Sequence, residues 1–169
     1  MLFRSSPDLS AYVIDADTAR RAARQGISVV TTAATTERLS PSMPTAWIPA
    51  MRANQRANLR TLRDAGVTIA IGSDGISGER RFVTARDEVQ FLAAQGMLDN
   101  LALLRAWSVD TPRTIFPGRK LGELRDGYEA NFLVLGADPL QDAANLHRIS
   151  MRVKAGRILP PLPTFRLVR

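Results

Sequence analysis

Hydrophobic and polar positions follow two different periods along this chain, and the helical period dominates the first part. Small and apolar residues recur every three to four positions there, which predicts amphipathic helices. Two short runs rich in β-branched residues, 27–32 and 67–71, predict strands between them. The unbroken apolar character of 67–71 is typical of a strand that is covered on both faces in a parallel sheet. The predicted helices are 16–25, 50–65, 85–95 and 100–107.

Residue types that commonly begin and end helices occur at the boundaries of the predicted helices. Asp15 is a predicted N-cap and Gly26 stands at the matching C-terminal position. Thr84 and Asp87 have the spacing of a capping box. Thr111 is a predicted cap followed by a proline at the first helical position, which predicts a further short helix. The segment 33–49 between a strand and a helix holds three prolines and is predicted to be a loop.

The last third of the chain changes to the period of strands. A short apolar run at 131–135 predicts one strand, and strict alternation over 149–154 predicts a half-buried second strand. The chain is predicted to turn back at residues 155–156 as a hairpin. We therefore predict an α/β part over residues 1–119 and a small β part with a proline-rich tail over residues 120–169.

Residue counts exclude several classes of protein. The chain of 169 residues has no cysteine and a single histidine, His147. Disulfide frameworks, thiolate zinc sites and cysteine nucleophiles are therefore excluded, as is any site that needs two histidines from this chain. No apolar run reaches the roughly 20 residues that span a bilayer. No signal peptide is readable, so we expect a cytoplasmic protein.

The net charge of +7 raises the question of a polyanionic partner. The arginines are scattered along the chain, and aromatic residues make up only 6% of it. That fraction is too small to provide stacking platforms between the basic residues. We therefore expect an arginine-rich solvated surface and keep binding to nucleic acid or another polyanion as the weakest alternative.

One local feature is suited to chemistry, the run IGSDG at residues 71–75. It follows the apolar strand, at the end where ligands gather in α/β sheets and barrels. There the carboxylate of Asp74 would bind a divalent metal or take a proton from water. The alternative is an Asx turn in which Asp74 bonds its own backbone. Glu88 is predicted to be an exposed first-turn acid, and His147 a surface or cap residue.

Several segments in a fixed order resemble the last part of the amidohydrolase superfamily, particularly its imidazolonepropionase-like and prolidase-like members. The run AGVTIAIGSDG at residues 65–75 is similar to the family's last barrel strand. An acid-containing helix, a Gly-Met pair and a Leu-Gly pair follow it. A Gly-x-x-Ala strand segment, an Asp-Pro-Leu segment and a closing hairpin complete the set. These segments are Asp87-Glu88, Gly96-Met97, 100–107, Leu121-Gly122, 127–135, 138–140 and 152–157.

The resemblance implies a fold and an activity. The fold would be α/β, with the last βα units of a partial TIM-type barrel followed by a segment of a small β-sandwich. The activity would be metal-dependent hydrolysis of C–N bonds in non-peptide amides, cyclic amides or dipeptides. Zinc or another divalent metal would be the cofactor. Asp74 would be the catalytic residue or a metal ligand. Thr35, Trp47 and Ser77, in predicted loops on the same face, would help to line a substrate pocket.

The chain also departs from the family pattern. The family builds its metal site largely from histidines on earlier strands, and none of these has a counterpart here. We therefore expect a C-terminal part of such an enzyme that is inactive alone and does not bind metal tightly. The alternative is a non-catalytic interaction or oligomerisation module. Its unpaired sheet edges would recruit a companion chain or form a homodimer.

Overall fold

The computed structural model describes residues 8–35, 44–74 and 84–161. It is an α/β protein with two separate sheets. Within the described residues the helices are α1 (Ala16–Arg24), α2 (Trp47–Asp64), α3 (Ala85–Ala94), α4 (Asn100–Arg105) and α5 (Thr111–Ile115). A π-helical segment, Ala106–Asp110, joins α4 to α5, and 3₁₀ helices cover Ser10–Tyr12 and Ala143–His147. The strands are β1 (Ser28–Thr31), β2 (Thr68–Ile71), β3 (Phe132–Leu135), β4 (Ile149–Lys154) and β5 (Arg157–Ile158).

The predicted strands of the first part form a parallel pair. β1 and β2 pair in register from Ser28 opposite Thr68 to Thr31 opposite Ile71. Their carboxyl ends therefore lie at the same edge of the sheet. Helix α1 leads into β1, and α2 leads into β2, so each strand is preceded by the helix that the sequence pattern predicted.

The helix caps predicted at Asp15 and Thr84 and the predicted hairpin turn are confirmed. The side chain of Asp15 accepts a hydrogen bond from the backbone N–H of Thr18 and caps α1. Thr84 and Asp87 form the predicted capping box at the start of α3. In the C-terminal sheet, β4 turns into β5 through residues 155 and 156, both of which have positive φ. Two successive positive φ angles are characteristic of a tight hairpin turn.

Two predicted boundaries are wrong. Helix α2 begins at Trp47, whereas residues up to 49 were predicted as loop. Pro49 lies in the first turn of α2, where a backbone N–H has no helical partner and a proline therefore costs little. At the other end of the predicted loop, residues 33–35 are helical. The proline-rich tail beyond residue 161 lies outside the described residues.

One apolar core joins the helices to one face of the β1–β2 sheet. Its fully buried members include Leu92 and Leu103, and Ile71 is 2% exposed. The 3₁₀ helix Ala143–His147 packs on α3 and α4 and adds Ala143 and Leu146 to the same core. Core contacts therefore link the C-terminal part to the α/β part, while the division at residues 119 and 120 stays a prediction. No described helix combines the length and apolarity needed to cross a membrane.

Candidate active site

The carboxyl end of β2 lies very close to β1. The N–H of Gly72 donates to the carbonyl oxygen of Thr31 over 2.9 Å, which extends the parallel ladder by one residue. A Cβ at Gly72 would lie 2.6 Å from Cγ1 of Val30 and 3.1 Å from the oxygen of Thr31. Any larger residue at position 72 would displace Val30 or Thr31. Close packing of the two strands therefore requires glycine as the first residue of the loop after β2.

Asp74 follows two residues later, in the position that the sequence predicted. Its φ is 42°, a left-handed conformation that aspartate tolerates better than most residues. The residue is exposed, and no described residue donates a hydrogen bond to its carboxylate. The alternative Asx turn would involve residues 75 and 76, which lie outside the described part of the chain. Within that part, Asp74 presents an unengaged carboxylate at the end of a buried strand.

Thr35 ties the segment after β1 to the segment after β2. Its side chain is buried, and its hydroxyl donates to the carbonyl oxygen of Ser73, with the oxygen of Asp74 at 3.5 Å. Because Thr35 is only 4% exposed, it supports the loop backbone and does not offer a surface to a substrate. Trp47 is half-buried at the start of α2, and Ser77 lies outside the described residues.

The prediction for Glu88 is wrong. This residue of α3 is 0% exposed, and both of its carboxylate oxygens accept hydrogen bonds. Oε1 accepts from the backbone N–H of Ala33 at 2.9 Å, and Oε2 accepts from that of Ala34 at 2.7 Å. The sequence held a signal for this burial: Glu88 precedes the core residue Leu92 by four positions, and residues so spaced share one face of a helix.

The short helix predicted at Thr111 is present as α5, but the predicted role of Thr111 as its cap is wrong. α5 continues directly from the π-helical segment, and its N-cap has no side-chain hydrogen bond. The Thr111 hydroxyl accepts from the N–H of Ile71 over 2.7 Å and donates to the carbonyl oxygen of Ala106 over 2.6 Å. One side chain thus holds the last residue of β2 against the π-helical segment, on the side of β2 facing away from β1.

His147 does not join this site. It ends the 3₁₀ helix that packs on α3, and its buried Nε2 has no hydrogen-bond partner among the described residues. Burial lowers the pKa of His147 below its usual value; the charge of Arg86 lowers it further, whereas that of Asp87 acts in the opposite direction. The predicted surface or cap role is therefore corrected to a partly buried packing residue.

The described residues around Asp74 do not by themselves provide enough ligands for a divalent metal. Across residues 8–35, 44–74 and 84–161, no group of three or more His, Cys, Asp or Glu side chains is placed to hold a metal ion. Catalytic zinc sites use about three protein ligands, and this site offers the single carboxylate of Asp74.

Comparison with known proteins identifies a matching family and several relatives of this chain. The model of the amidohydrolase family matches residues 8–159. Ochratoxinase of Aspergillus niger is 37% identical over 79 residues, which are 46% of this chain and 16% of that protein.

Three solved structures share the fold over most of this chain. An amidohydrolase is 27% identical with a TM-score of 0.66, and the match covers 86% of this chain and 37% of that one. A. niger ochratoxinase is 25% identical with a TM-score of 0.68, covering 86% and 34%. A prolidase complexed with N-methylphosphonate-L-proline is 24% identical with a TM-score of 0.66, covering 86% and 38%. The chain thus spans little more than a third of the length of these structures.

Proposed function

The chain belongs to the amidohydrolase family, and on that premise we propose that it is the C-terminal part of a metal-dependent hydrolase of C–N bonds. The substrates we propose are non-peptide amides, cyclic amides or dipeptides. The observation that carries the proposal is the carboxylate of Asp74, exposed and unengaged by described residues at the carboxyl end of β2. This is the position at which enzymes with parallel α/β architecture place catalytic groups.

The packing of the first sheet supports a partial barrel. Val29 and Ile69 face the helices and belong to or contact the core. Val30 lies on the opposite face, over Gly72, and is 46% exposed. Parallel sheets are normally covered on both faces. We therefore take β1 and β2 as the last strands of a TIM-type barrel, and β3, β4 and β5 as part of a small β-sandwich.

The proposed role of Asp74 follows from the bond changes in amide hydrolysis. Water adds its oxygen to the carbonyl carbon, the C–N bond breaks, and the nitrogen leaves with a proton that came from the water. A carboxylate beside the reacting carbon can accept that proton and return it to the nitrogen. In a complete site Asp74 would act in this way or as one of several metal ligands. Because the described residues offer only this one ligand, we propose that the chain alone is inactive.

The test is to supply the missing part. We expect the coding sequence upstream to encode a strand with a His-x-His pair, and co-expression with that segment to yield hydrolysis of a panel of N-acyl amino acids, cyclic amides and dipeptides. Asp74→Ala should abolish this activity, whereas Asp64→Ala, at the exposed end of α2, should leave it unchanged. Undiminished hydrolysis by Asp74→Ala would refute the assignment.

A second candidate function is the interaction module. The observation that favours it is the exposure of Val30 on β1 and of Ile27 just before it, each 46% exposed. Among the described residues β1 pairs only with β2. Exposed apolar strand edges pair with other chains. Light scattering after size-exclusion chromatography tests it: a stable dimer that Val30→Lys dissociates would support a homodimer, and a monomer at all concentrations would exclude one.

A further inference from the structure

We propose that Glu88 is a positioning residue for the candidate active site. Its buried carboxylate holds the segment that follows β1, and that segment in turn holds the end of β2 that carries Asp74. The proposal rests on the function proposed above for the chemical role of Asp74. The mechanical link stands on contacts among described residues and is tested separately from any activity.

The first step is the contact between Glu88 and the start of the helical residues 33–35. The first N–H groups of a helix have no partner within it. Glu88 supplies partners to two of them, Ala33 and Ala34, at 2.9 and 2.7 Å. Carboxylate oxygens accept hydrogen bonds, so both oxygens of Glu88 suit this arrangement. Because Glu88 is fully buried, water cannot replace either bond when the carboxylate is removed.

The second step is the contact between Thr35 and the loop after β2. Thr35 belongs to the same helical turn as the two amides that Glu88 holds. Its hydroxyl donates to the carbonyl oxygen of Ser73, the residue before Asp74. Asp74 itself has a φ of 42°, and non-glycine residues keep such conformations where the surroundings hold them. The buried hydroxyl of Thr35 provides that support from the helical segment that follows β1.

The two steps predict a direction of effect, which backbone NMR on the ¹⁵N-labelled chain can read. Glu88→Gln keeps the size of the side chain but presents an NH₂ group to one of the two N–H donors. We expect amide exchange at Ala33 and Ala34 to accelerate by at least about tenfold. We also expect the heteronuclear NOE of Ser73 and Asp74 to fall, because the segment that holds them is released.

Substitutions at Thr35 separate the two steps. Thr35→Val removes only the hydroxyl, so it should lower the heteronuclear NOE of Asp74 while the two amides held by Glu88 keep their slow exchange. Thr35→Ser should restore the wild-type values. Asp87→Asn is the matched control, since it weakens the capping box of the same helix and leaves the side chain of Glu88, which accepts from Ala33 and Ala34, in place. Asp87→Asn and Glu88→Gln are each measured at the same number of degrees below their own melting temperature, so that a general loss of stability affects both equally.

Three results would overturn the proposal. The first is faster exchange at Ala33 and Ala34 in Glu88→Gln with Asp74 unchanged, which would show that the link ends at the first step. The second is an equal change at Asp74 in Asp87→Asn, which would show a general loss of stability. The third is an unchanged Asp74 in Thr35→Val, which remains measurable if Glu88→Gln does not fold. Loss of the proposed hydrolase function would leave all three readouts intact, so the two failures are distinguishable.

Discussion

Replacing Gly122 by alanine tests how the C-terminal part is fixed to the π-helical segment. Gly122 has a φ of 88°, and an added Cβ would overlap the carbonyl oxygen of Ser108 and lie 3.2 Å from Cα of Val109. The neighbours are backbone atoms, which cannot rotate away as a side chain can. A left-handed alanine costs about 1–2 kcal/mol, and overpacking adds about 1–3 kcal/mol. We therefore expect Gly122→Ala to lower the free energy of unfolding by about 2–5 kcal/mol.

Other glycines of the chain separate these two contributions. Gly96 has a φ of 58° and open space around its Cβ direction, so Gly96→Ala should cost only the conformational part, about 1–2 kcal/mol. Gly72→Ala should cost only the packing part, about 1–3 kcal/mol, because of its contacts with Val30 and Thr31. Gly118 has neither feature, so Gly118→Ala should be close to neutral.

Urea unfolding followed by circular dichroism measures the four variants on one scale. The reasoning requires Gly122→Ala to be the most destabilised of the set, with an unchanged dependence on urea concentration. If Gly122→Ala is no less stable than Gly96→Ala, the close approach to the π-helical segment is absent in solution and the reasoning is refuted.

Three further predictions concern single contacts. Thr111→Val leaves the N–H of Ile71 without its acceptor and should cost about 1–3 kcal/mol in urea unfolding, whereas Thr111→Ser should cost much less; equal losses would contradict the role of the hydroxyl. Thr84→Ala removes the cap of α3 and should cost about 1 kcal/mol, and an unchanged melting temperature would argue against the capping box. The pKa of His147 is lowered by burial and by Arg86, so its contribution to stability is present above its unfolded value of about 6.5 and is lost as the pH falls below it. His147→Gln should therefore flatten the decline in melting temperature between pH 7 and pH 5, and identical profiles would contradict this.

Features set by neighbouring residues in the sequence could be predicted. The N-cap at Asp15, the capping box at Thr84 and the turn at residues 155–156 each depend on a few adjacent positions. The position of Asp74 after a buried strand was predictable for the same reason, because the apolar run and the glycines around it are contiguous.

Features set by distant contacts could not be predicted. The hydrogen-bond partners of Glu88 lie 54 and 55 residues earlier in the chain. The position of Glu88 on its helix therefore indicated that it is buried, but it did not identify these partners. The hydroxyl of Thr111 bonds Ile71, 40 residues away, and a local capping rule therefore assigned it the wrong role. The left-handed φ of Asp74 and its support by Thr35 likewise depend on how β1 and β2 pair.

The central proposal is that this chain would contribute one carboxylate, Asp74, to a metal-dependent site whose remaining ligands would lie outside it. Measuring the zinc content of the purified chain and of Asp74→Ala by mass spectrometry after equilibration with zinc tests this claim most directly. The account predicts equal and near-zero tightly bound metal in both proteins. One tightly bound zinc per wild-type chain, lost in Asp74→Ala, would contradict it.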